Sequence, residues 1–244
     1  MPEPGGSNHT KRATYALRQR IMRGELRGGT RLYEVAVAEE LSISRTPVRE
    51  ALSRLAEEGL VERAPGGGVR VRSFSLEDVL DAIELRGVLE GTAARMAAER
   101  GVGAIELRRI AGLVAQLDLC FSAGSAPIDF DSYSELNAAF HAELSGLCGS
   151  TIIRREIERV SSLPFASPSA FVLGKEADVA THRSLIFAQE QHHALVAAIE
   201  ARAGSRAEAI AREHAQIARA NLEASRQIED ELGARAAVMG LVVE

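Results

Sequence analysis

From Ser75 onward, apolar residues recur only with the spacing of α-helices, and no segment alternates in the manner of a strand. This region opens with Ser75 and Asp78, which have the three-residue spacing of a capping box. Prolines and serines interrupt the pattern at 164–174, where we predict a loop. The predicted helices span 76–100, 104–122, 129–147, 151–163, 177–201 and 205–231. The pattern predicts an antiparallel all-α bundle over 75–231, followed by a tail at 232–244.

The residues before Ser75 follow a different pattern. Three short helical segments come first, and glycines or a Ser-Arg-Thr-Pro turn separate them. Two short apolar segments, 60–63 and 69–72, flank the Pro-Gly-Gly-Gly sequence of a hairpin tip. This order of helix, helix, turn, helix and hairpin is that of a winged helix-turn-helix domain, which we predict over 10–74. We expect residues 1–9 to be disordered, and the whole chain to be mainly α.

Charge is distributed unevenly between these two regions. Residues 1–72 carry a formal charge of +4, whereas residues 73–244 carry -9, within a total of -5 over 244 residues. A basic module joined to an acidic one indicates that a polyanion contacts the first only. No apolar run approaches the roughly 20 residues that span a bilayer, and residues 1–9 lack the features of a signal peptide. We therefore expect a cytoplasmic protein with no membrane partner.

Polar residues at the start of the third helix are candidates for contact with DNA. Arg45 and Arg49 are four residues apart and so project from one helical face. In a helix-turn-helix domain this end of the helix enters the major groove, where arginine can bind guanine O6 and N7. Thr46 could bond a base or a phosphate. Arg31 and the wing glycine Gly66 suit contact with the DNA backbone or minor groove.

The segment GELRGGTRLYEVAVAEELSISRTPVREALSRLAEEGLVERAPGGGVRV resembles the DNA-binding domain of the GntR family of bacterial transcription regulators, above all in its SRTPVREAL core. The resemblance covers nearly all of residues 10–72. It implies DNA contacts at the same five positions: Arg31, Arg45, Thr46, Arg49 and Gly66. It also implies a homodimer that binds a palindromic operator in double-stranded DNA, because a single module reads only a few base pairs.

Histidines interrupt the apolar stripes of three predicted helices. His141 lies four residues after Asn137 on one stripe, and both residues are predicted to point inward. His192 lies among apolar residues at helical spacing, whereas its neighbour His193 shares a face with polar residues. His214 interrupts a third stripe, with Asn221 further along the same face. Three imidazoles buried without partners are costly, and a divalent metal would satisfy all three. Hydrogen-bonded core histidines are the alternative.

The segments SLEDVLDAIELRGVLEGTAARMAAERG, LNAAFHAELSGLCGS, EQHHALVAAIEARAG and REHAQIARANL resemble the C-terminal FCD-type domain of the FadR subfamily, nearest its VanR-like branch. The resemblance implies a divalent metal, with zinc or nickel most compatible with these ligands, bound by His141, His192 and His214. Asn137 occupies the position where an Asp is common. The resemblance also implies a small carboxylate effector, for which Arg86 and Asn221 are the candidates. A salt bridge to Glu90 is the alternative role of Arg86.

These features and the two resemblances predict a dimeric transcription regulator that a small organic acid releases from its operator or re-orients on it. The resemblance to the GntR family implies a repressor. Ligand binding could shift the dimer between two arrangements without any chemical reaction. Two other functions were weighed. A metal-dependent hydrolase could use the three histidines, but their stripes carry no inward carboxylate to act as a general base. An architectural DNA-binding protein would need basic charge along the whole chain.

Overall fold

A computed structural model describes residues 4–22, 24–121, 128–163, 166–168 and 179–232. The chain separates into two compact units that meet in sequence between Val79 and Leu80. The first contains the three N-terminal helices and the only sheet of the described residues. The described part of the second consists of helices and the turns between them, without a strand. A mainly α fold with an N-terminal winged helix-turn-helix domain and a C-terminal helical domain is therefore confirmed.

The first unit has the predicted order of elements and one additional strand. Its elements are α1 (Pro4–Met22), β1 (Arg31–Leu32), α2 (Glu34–Leu41), α3 (Arg45–Glu57), β2 (Val61–Arg63) and β3 (Val69–Val71). The sheet is antiparallel in the order β1-β3-β2, and Arg70 of β3 pairs with both Arg31 and Glu62. The two-residue strand β1 is too short to show an alternating pattern, so the sequence did not predict it.

Helix α3 forms as its sequence dictates. Ser44 precedes it in an extended conformation, and Pro47 lies within the first turn, where the missing backbone N–H costs no hydrogen bond. The buried face consists of Pro47, Val48, Ala51, Leu52 and Leu55. Gly59, with a φ of +73°, ends the turn that follows the helix. The polar face of α3 is consequently left at the surface.

Helix α1 begins earlier than predicted. It starts at Pro4, so residues 4–9 are helical, which corrects the prediction of a disordered segment at 1–9. Two glycines lower the helix propensity there, and the described tertiary contacts of α1 begin at Thr10. Ala13, Leu17 and Ile21 are buried, and Thr10 donates a hydrogen bond of 2.8 Å to Glu50 of α3. Residues 1–3 lie outside the described part of the chain.

The second unit is built from α4 (Leu76–Arg100), α5 (Ala104–Asp118), α6 (Phe130–Leu147), α7 (Thr151–Ser161), α8 (Val179–Glu200) and α9 (Gly204–Leu232). The predicted capping box is present: the Asp78 carboxylate accepts from the Ser75 backbone N–H at 2.7 Å, and the Asp78 backbone N–H donates to Ser75 Oγ at 3.0 Å. The helices start within two residues of their predicted positions. Most of the predicted loop at 164–174, and residues 233–244 of the predicted tail, lie outside the described residues.

Two glycines let α9 lie close against α4. A Cβ atom at Gly87 would be 2.8 Å from Ala215 Cβ, and one at Gly91 would be 2.8 Å from Arg212 Cγ. The backbone of α4 can therefore approach α9 at the level of His214. The adjoining core includes Leu117, Tyr133, Phe140, Leu144 and Leu195. Among the described residues, no helix is both long and apolar enough to cross a membrane.

Candidate nucleic-acid interface and metal centre

The start of α3 presents polar side chains to solvent. The side chains of Arg45 and Arg49 are 60% and 66% exposed, and Thr46 is exposed between them. Because the opposite face of α3 is buried, these side chains project outward from the first two turns. This is the arrangement that a recognition helix needs to reach base edges in a major groove.

One carboxylate, which the sequence did not single out, contacts both arginines. Glu34 is the first residue of α2, and it accepts from Arg49 Nε and Nη2, both at 2.9 Å. Arg45 Nη2 lies 3.4 Å from the same carboxylate. The hydrogen bond from Arg49 is the main reason that the pKa of Glu34 lies below its usual value. The pairing links residues 15 positions apart on different helices, so no local spacing could have predicted it.

The wing carries the other two predicted contacts. Arg31 on β1 donates to the carbonyl oxygen of Pro65 at 3.2 Å and to the Tyr33 hydroxyl at 3.4 Å. Gly66 adopts a φ of +85°, a conformation that glycine adopts without strain, and a Cβ there would meet nothing within 4 Å. Both residues are exposed. The wing tip therefore has bare, accessible backbone next to a basic side chain.

Three buried histidines converge in the second unit. His141 of α6, His192 of α8 and His214 of α9 are 4%, 0% and 8% exposed. His193, by contrast, is half exposed and pairs with Asp118 at 2.9 Å. The helical spacing therefore separated His192 from its neighbour correctly. Phe140 packs against His192, with ring centroids 4.2 Å apart.

The Nε2 atoms of the three rings face one another. His214 Nε2 lies 3.2 Å from His192 Nε2 and 3.3 Å from His141 Nε2. Two nitrogens bound to one tetrahedral zinc at 2.0–2.1 Å would be about 3.3 Å apart. Within the described residues, this is the cluster of His, Cys, Asp or Glu side chains that could hold a metal, and its ligand atoms lie within 4.8 Å of one another.

The opposite nitrogen of each ring faces a side-chain oxygen. His141 Nδ1 lies 2.9 Å from Glu90 Oε1, His192 Nδ1 lies 3.0 Å from Gln189 Oε1, and His214 Nδ1 lies 3.1 Å from Gln191 Oε1. An oxygen acceptor requires a proton on Nδ1, which leaves a lone pair on Nε2. The assignment is firm at Gln189, because its Nε2 donates to Val114 O and Asp118 Oδ1.

The three Nε2 atoms therefore face one another, and with a proton on each Nδ1 their lone pairs converge. Such lone pairs repel, whereas a cation placed among them would be bound by all three. Oxygen acceptors on the Nδ1 side of ligating histidines are typical of metal sites, where they fix the tautomer and orient the ring. The donor set and its surroundings thus fit a divalent metal.

Glu90 of α4 is the main residue of this site that sequence reasoning missed. It is 1% exposed and contacts His141 at 2.9 Å. Burial by itself would raise its pKa, but the charges of His141 and Arg86 and the hydrogen bond from His141 lower the pKa to about 2. The one sequence signal was its position four residues after Arg86. Glu90 faces Nδ1, away from the Nε2 atoms, so it does not provide the general base that a hydrolase would need.

Burial favours the neutral form of His192 and His214. It lowers the pKa of His214 to about 3, and His141 acts in the same direction. Burial, followed by His214 and His141, holds the pKa of His192 well below its ordinary value. At neutral pH both rings are therefore in the form that binds metals.

A small cavity lies beside the cluster. Its volume is about 30 Å³, enough for one or two water molecules. The structure brings the predicted effector residues together there. The lining residues are Arg86, Tyr133, Asn137, Pro168, Leu185, Ala188, His214, Ile217, Ala218 and Asn221. Asn137 Nδ2 donates to the carbonyl oxygen of Pro168 at 3.2 Å, and Asn221 accepts from Ser184 Oγ at 2.7 Å.

Arg86 lies at the cavity and close to Glu90. It is 2% exposed and lines the cavity, and Nη1 donates to the carbonyl oxygen of Ala166 at 3.1 Å. Its Nε lies 3.9 Å from Glu90 Oε2, which is the alternative salt bridge. The guanidinium of Arg86 therefore lies between the Glu90 carboxylate and the cavity.

Comparison with known proteins places these two sites in a family. Residues 9–71 match the model of the bacterial regulatory proteins of the gntR family, and residues 81–217 match the FCD domain. The chain belongs to the GntR family of transcription regulators, with a C-terminal FCD domain. It is therefore a DNA-binding transcription regulator and not an enzyme.

Individual relatives agree with this assignment. The chain is 33% identical over 159 residues to the HTH-type transcriptional regulator LutR of Bacillus subtilis, covering 59% of this chain and 69% of LutR. It is 28% identical over 200 residues to the HTH-type transcriptional repressor GlaR of Escherichia coli, covering 81% and 88%. The solved structure of E. coli McbR/YncC has the same fold, with a TM-score of 0.63 at 23% identity over 90% of this chain and 98% of that one.

Proposed function

We propose that this regulator is a homodimeric repressor that binds a palindromic operator through α3 and the wing, and that a small carboxylate effector, bound at a divalent metal in the FCD domain, changes its affinity for DNA. The observation that carries the proposal is the convergence of three Nε2 lone pairs, each ring held by an oxygen on its Nδ1 side. Zinc and nickel suit such a ligand set.

The proposed metal ligands are His141, His192 and His214, with Asn137 as a fourth. Asn137 belongs to the same cavity as His214, and its side-chain nitrogen is occupied by Pro168, which fixes the orientation of the amide. An effector carboxylate would bind the metal and approach Arg86 and Asn221, which line the same cavity. Because the cavity has room only for water, the bound state requires the lining to open.

The DNA-binding surface in this proposal comprises Arg31, Arg45, Thr46, Arg49 and Gly66. All five are exposed, in contrast to the metal-site residues. A dimer would place two such surfaces on the two halves of a palindrome. The name of GlaR describes a repressor, which supports repression over activation for this chain.

Elemental analysis of untagged protein tests the metal directly. We expect about one zinc or nickel per chain, and a melting temperature that rises when either ion is restored after chelation, since a ligand that binds only the folded state stabilises it. Metal well below one equivalent and no thermal shift would mean that the histidines form a hydrogen-bonded core.

Gel shifts test the regulatory proposal. The probe is the DNA upstream of the protein's own gene, with and without a panel of small mono-, di- and hydroxycarboxylates. We expect metal-loaded protein to bind the fragment and one class of carboxylate to weaken binding. Binding that no carboxylate alters, with sedimentation as a monomer, would contradict the proposal.

A further inference from the structure

Glu34 holds two recognition arginines with one carboxylate. We infer that Glu34 is a positioning residue for DNA recognition. It fixes Arg49 and Arg45 so that the edge of the Arg49 guanidinium that does not contact Glu34 can bind guanine. The inference rests on the proposed DNA-binding surface and assigns a role to a residue outside it. Glu34 is the less exposed partner: its side chain is 27% exposed, against 60% and 66% for the two arginines.

The contact with Arg49 leaves the guanine-binding edge available. Glu34 Oε1 accepts from Arg49 Nε and Oε2 accepts from Nη2, both at 2.9 Å. This contact uses one side of the guanidinium. One hydrogen of Nη1 and the second hydrogen of Nη2 lie in parallel on another edge of the guanidinium. Two parallel donors of this kind match O6 and N7 of guanine. Arg49 can therefore bind Glu34 and a base at the same time.

The contact with Arg45 is weaker and shares an atom. Arg45 Nη2 lies 3.4 Å from Oε2, the oxygen that also accepts from Arg49. Two guanidiniums one helical turn apart would otherwise repel each other. A carboxylate between them removes this repulsion and restricts both long side chains before DNA arrives. Such preorganisation lowers the entropy cost of binding.

The position of Glu34 in the fold makes it a stable anchor. As the first residue of α2, it lies where a negative side chain interacts favourably with the helix dipole. The hydrogen bond and charge of Arg49 lower the pKa of its carboxyl, so Glu34 is ionised at neutral pH. A negative charge opposes general attraction to phosphate. Glu34 should consequently reduce non-specific binding while it increases discrimination.

The test uses the full-length protein and measures discrimination. The probe is the duplex that wild-type protein enriches from a random-sequence pool, compared with copies in which each guanine of one half-site is replaced in turn, and with an unrelated duplex. Affinities come from fluorescence anisotropy at several salt concentrations. The variants are Glu34→Gln and Glu34→Asp. Glu40→Gln is the matched control, because Glu40 lies on the same helix, is exposed and pairs instead with Arg20 at 2.8 Å.

Glu34→Gln should bind the unrelated duplex more tightly, because one negative charge is lost. It should also lose about three- to tenfold of its discrimination at one guanine position, the effect expected from freeing an immobilised side chain. Glu34→Asp keeps the charge but shortens the reach, so discrimination should fall with no gain in non-specific affinity. Glu40→Gln should leave discrimination unchanged.

Two results would overturn the inference. One is a Glu34→Gln variant that, like Glu40→Gln, changes affinity for every duplex by the same factor, since Glu34 would then act only through its charge. The other is a loss of discrimination at a cytosine position when Glu34→Gln is introduced into a protein that already lacks Arg45 and Arg49. Glu34 would then contact a base itself. The proposed DNA-binding surface has its own test, distinct from that of Glu34. It would be wrong if Arg49→Ala alone left the affinity for every duplex unchanged.

Discussion

The two polar clusters of this protein use the same element, a carboxylate that holds basic side chains, in opposite environments. At the N-terminal end of α3, Glu34 pairs with two arginines that are more than half exposed. In the FCD domain, Glu90 contacts His141 and Arg86, and all three are at least 95% buried. The first cluster is accessible to DNA and its surface ion pairs contribute little to stability, whereas the second is fixed by the cost of leaving a buried charge unpaired.

The contrast follows from the size and charge of the proposed ligands. A DNA duplex is large and strongly hydrated, so side chains that bind it must be accessible before it arrives. A metal ion needs a few converging lone pairs and gains from the absence of water. Burial keeps His192 and His214 neutral and ready to coordinate, whereas the arginines stay charged in any environment.

In the exposed cluster, the expected effect is on the affinity for DNA. Arg45→Ala and Arg49→Ala should each weaken binding to the selected operator by about 5- to 150-fold, and the double variant by more. Arg31→Ala should weaken binding to all duplexes with little change in base preference. Anisotropy titrations at fixed salt measure these affinities. If a folded Arg45→Ala/Arg49→Ala variant bound the operator as tightly as the wild-type protein does, the exposed cluster would not recognise DNA. The comparison between the two clusters would then fail.

In the buried cluster, Glu90→Gln should destabilise the fold. The substitution leaves Arg86 buried without its counter-charge, which costs about 3–5 kcal/mol in the free energy of unfolding. Denaturant unfolding of chelated protein measures the change. Glu99→Gln is the control, because Glu99 lies on the same helix in an exposed pair with Arg95. If Glu90→Gln and Glu99→Gln lowered the free energy of unfolding equally, burial would not make the Glu90 contacts stronger than an exposed ion pair.

The histidines predict how the stability of metal-free protein depends on pH. His214 has a pKa of about 3 in the folded state and an ordinary value of 6.5. Below pH 6.5 the unfolded chain therefore binds a proton that the folded chain does not. Stability should fall as the pH drops from 6.5, by up to about 1.4 kcal/mol per pH unit for His214, with His192 acting in the same direction.

Chelated protein in denaturant at several pH values between 7 and 5 provides this measurement. Glu90 does not contribute to this dependence on pH. Its pKa is lowered in the folded state, so its contribution to stability is complete at pH values above its ordinary pKa of 4.5. His214→Asn should reduce the slope, and His193→Asn on the exposed face should not. A slope that His214→Asn leaves intact would show that His214 is protonated in the fold.

The smallest expected effect concerns Asn137. Asn137→Asp keeps the size of the side chain and its spacing from His141 while it adds a negative charge. We expect metal affinity to rise by about tenfold and affinity for a carboxylate effector to fall, because part of the field of the cation is neutralised. Glu90 already supplies one negative charge nearby, so the gain should be modest. Titration calorimetry on stripped and metal-loaded proteins separates the two effects, and unchanged metal affinity would exclude Asn137 as a ligand.

The sequence by itself determined much of this protein. Periodicity within single helices distinguished His192 from His193 and placed Asn137 and His141 on one face, because residues three or four apart are neighbours on any helix. Turn and capping residues gave the order of the winged domain and the start of α4. The extra turns at the start of α1 were missed, since the glycines there have low helix propensity and give no apolar periodicity.

Only the tertiary structure decided which residues support these sites. Glu34 lies 15 residues from Arg49, and Glu90 lies 51 residues from His141. Gln189, which contacts His192, lies 71 residues from Asp118 of α5, to which its amide nitrogen donates. Such pairings depend on how helices pack and how far flexible side chains extend, and neither is encoded in the spacing along one helix. The sequence could therefore predict candidate ligands and base contacts, but the residues that orient them required the fold.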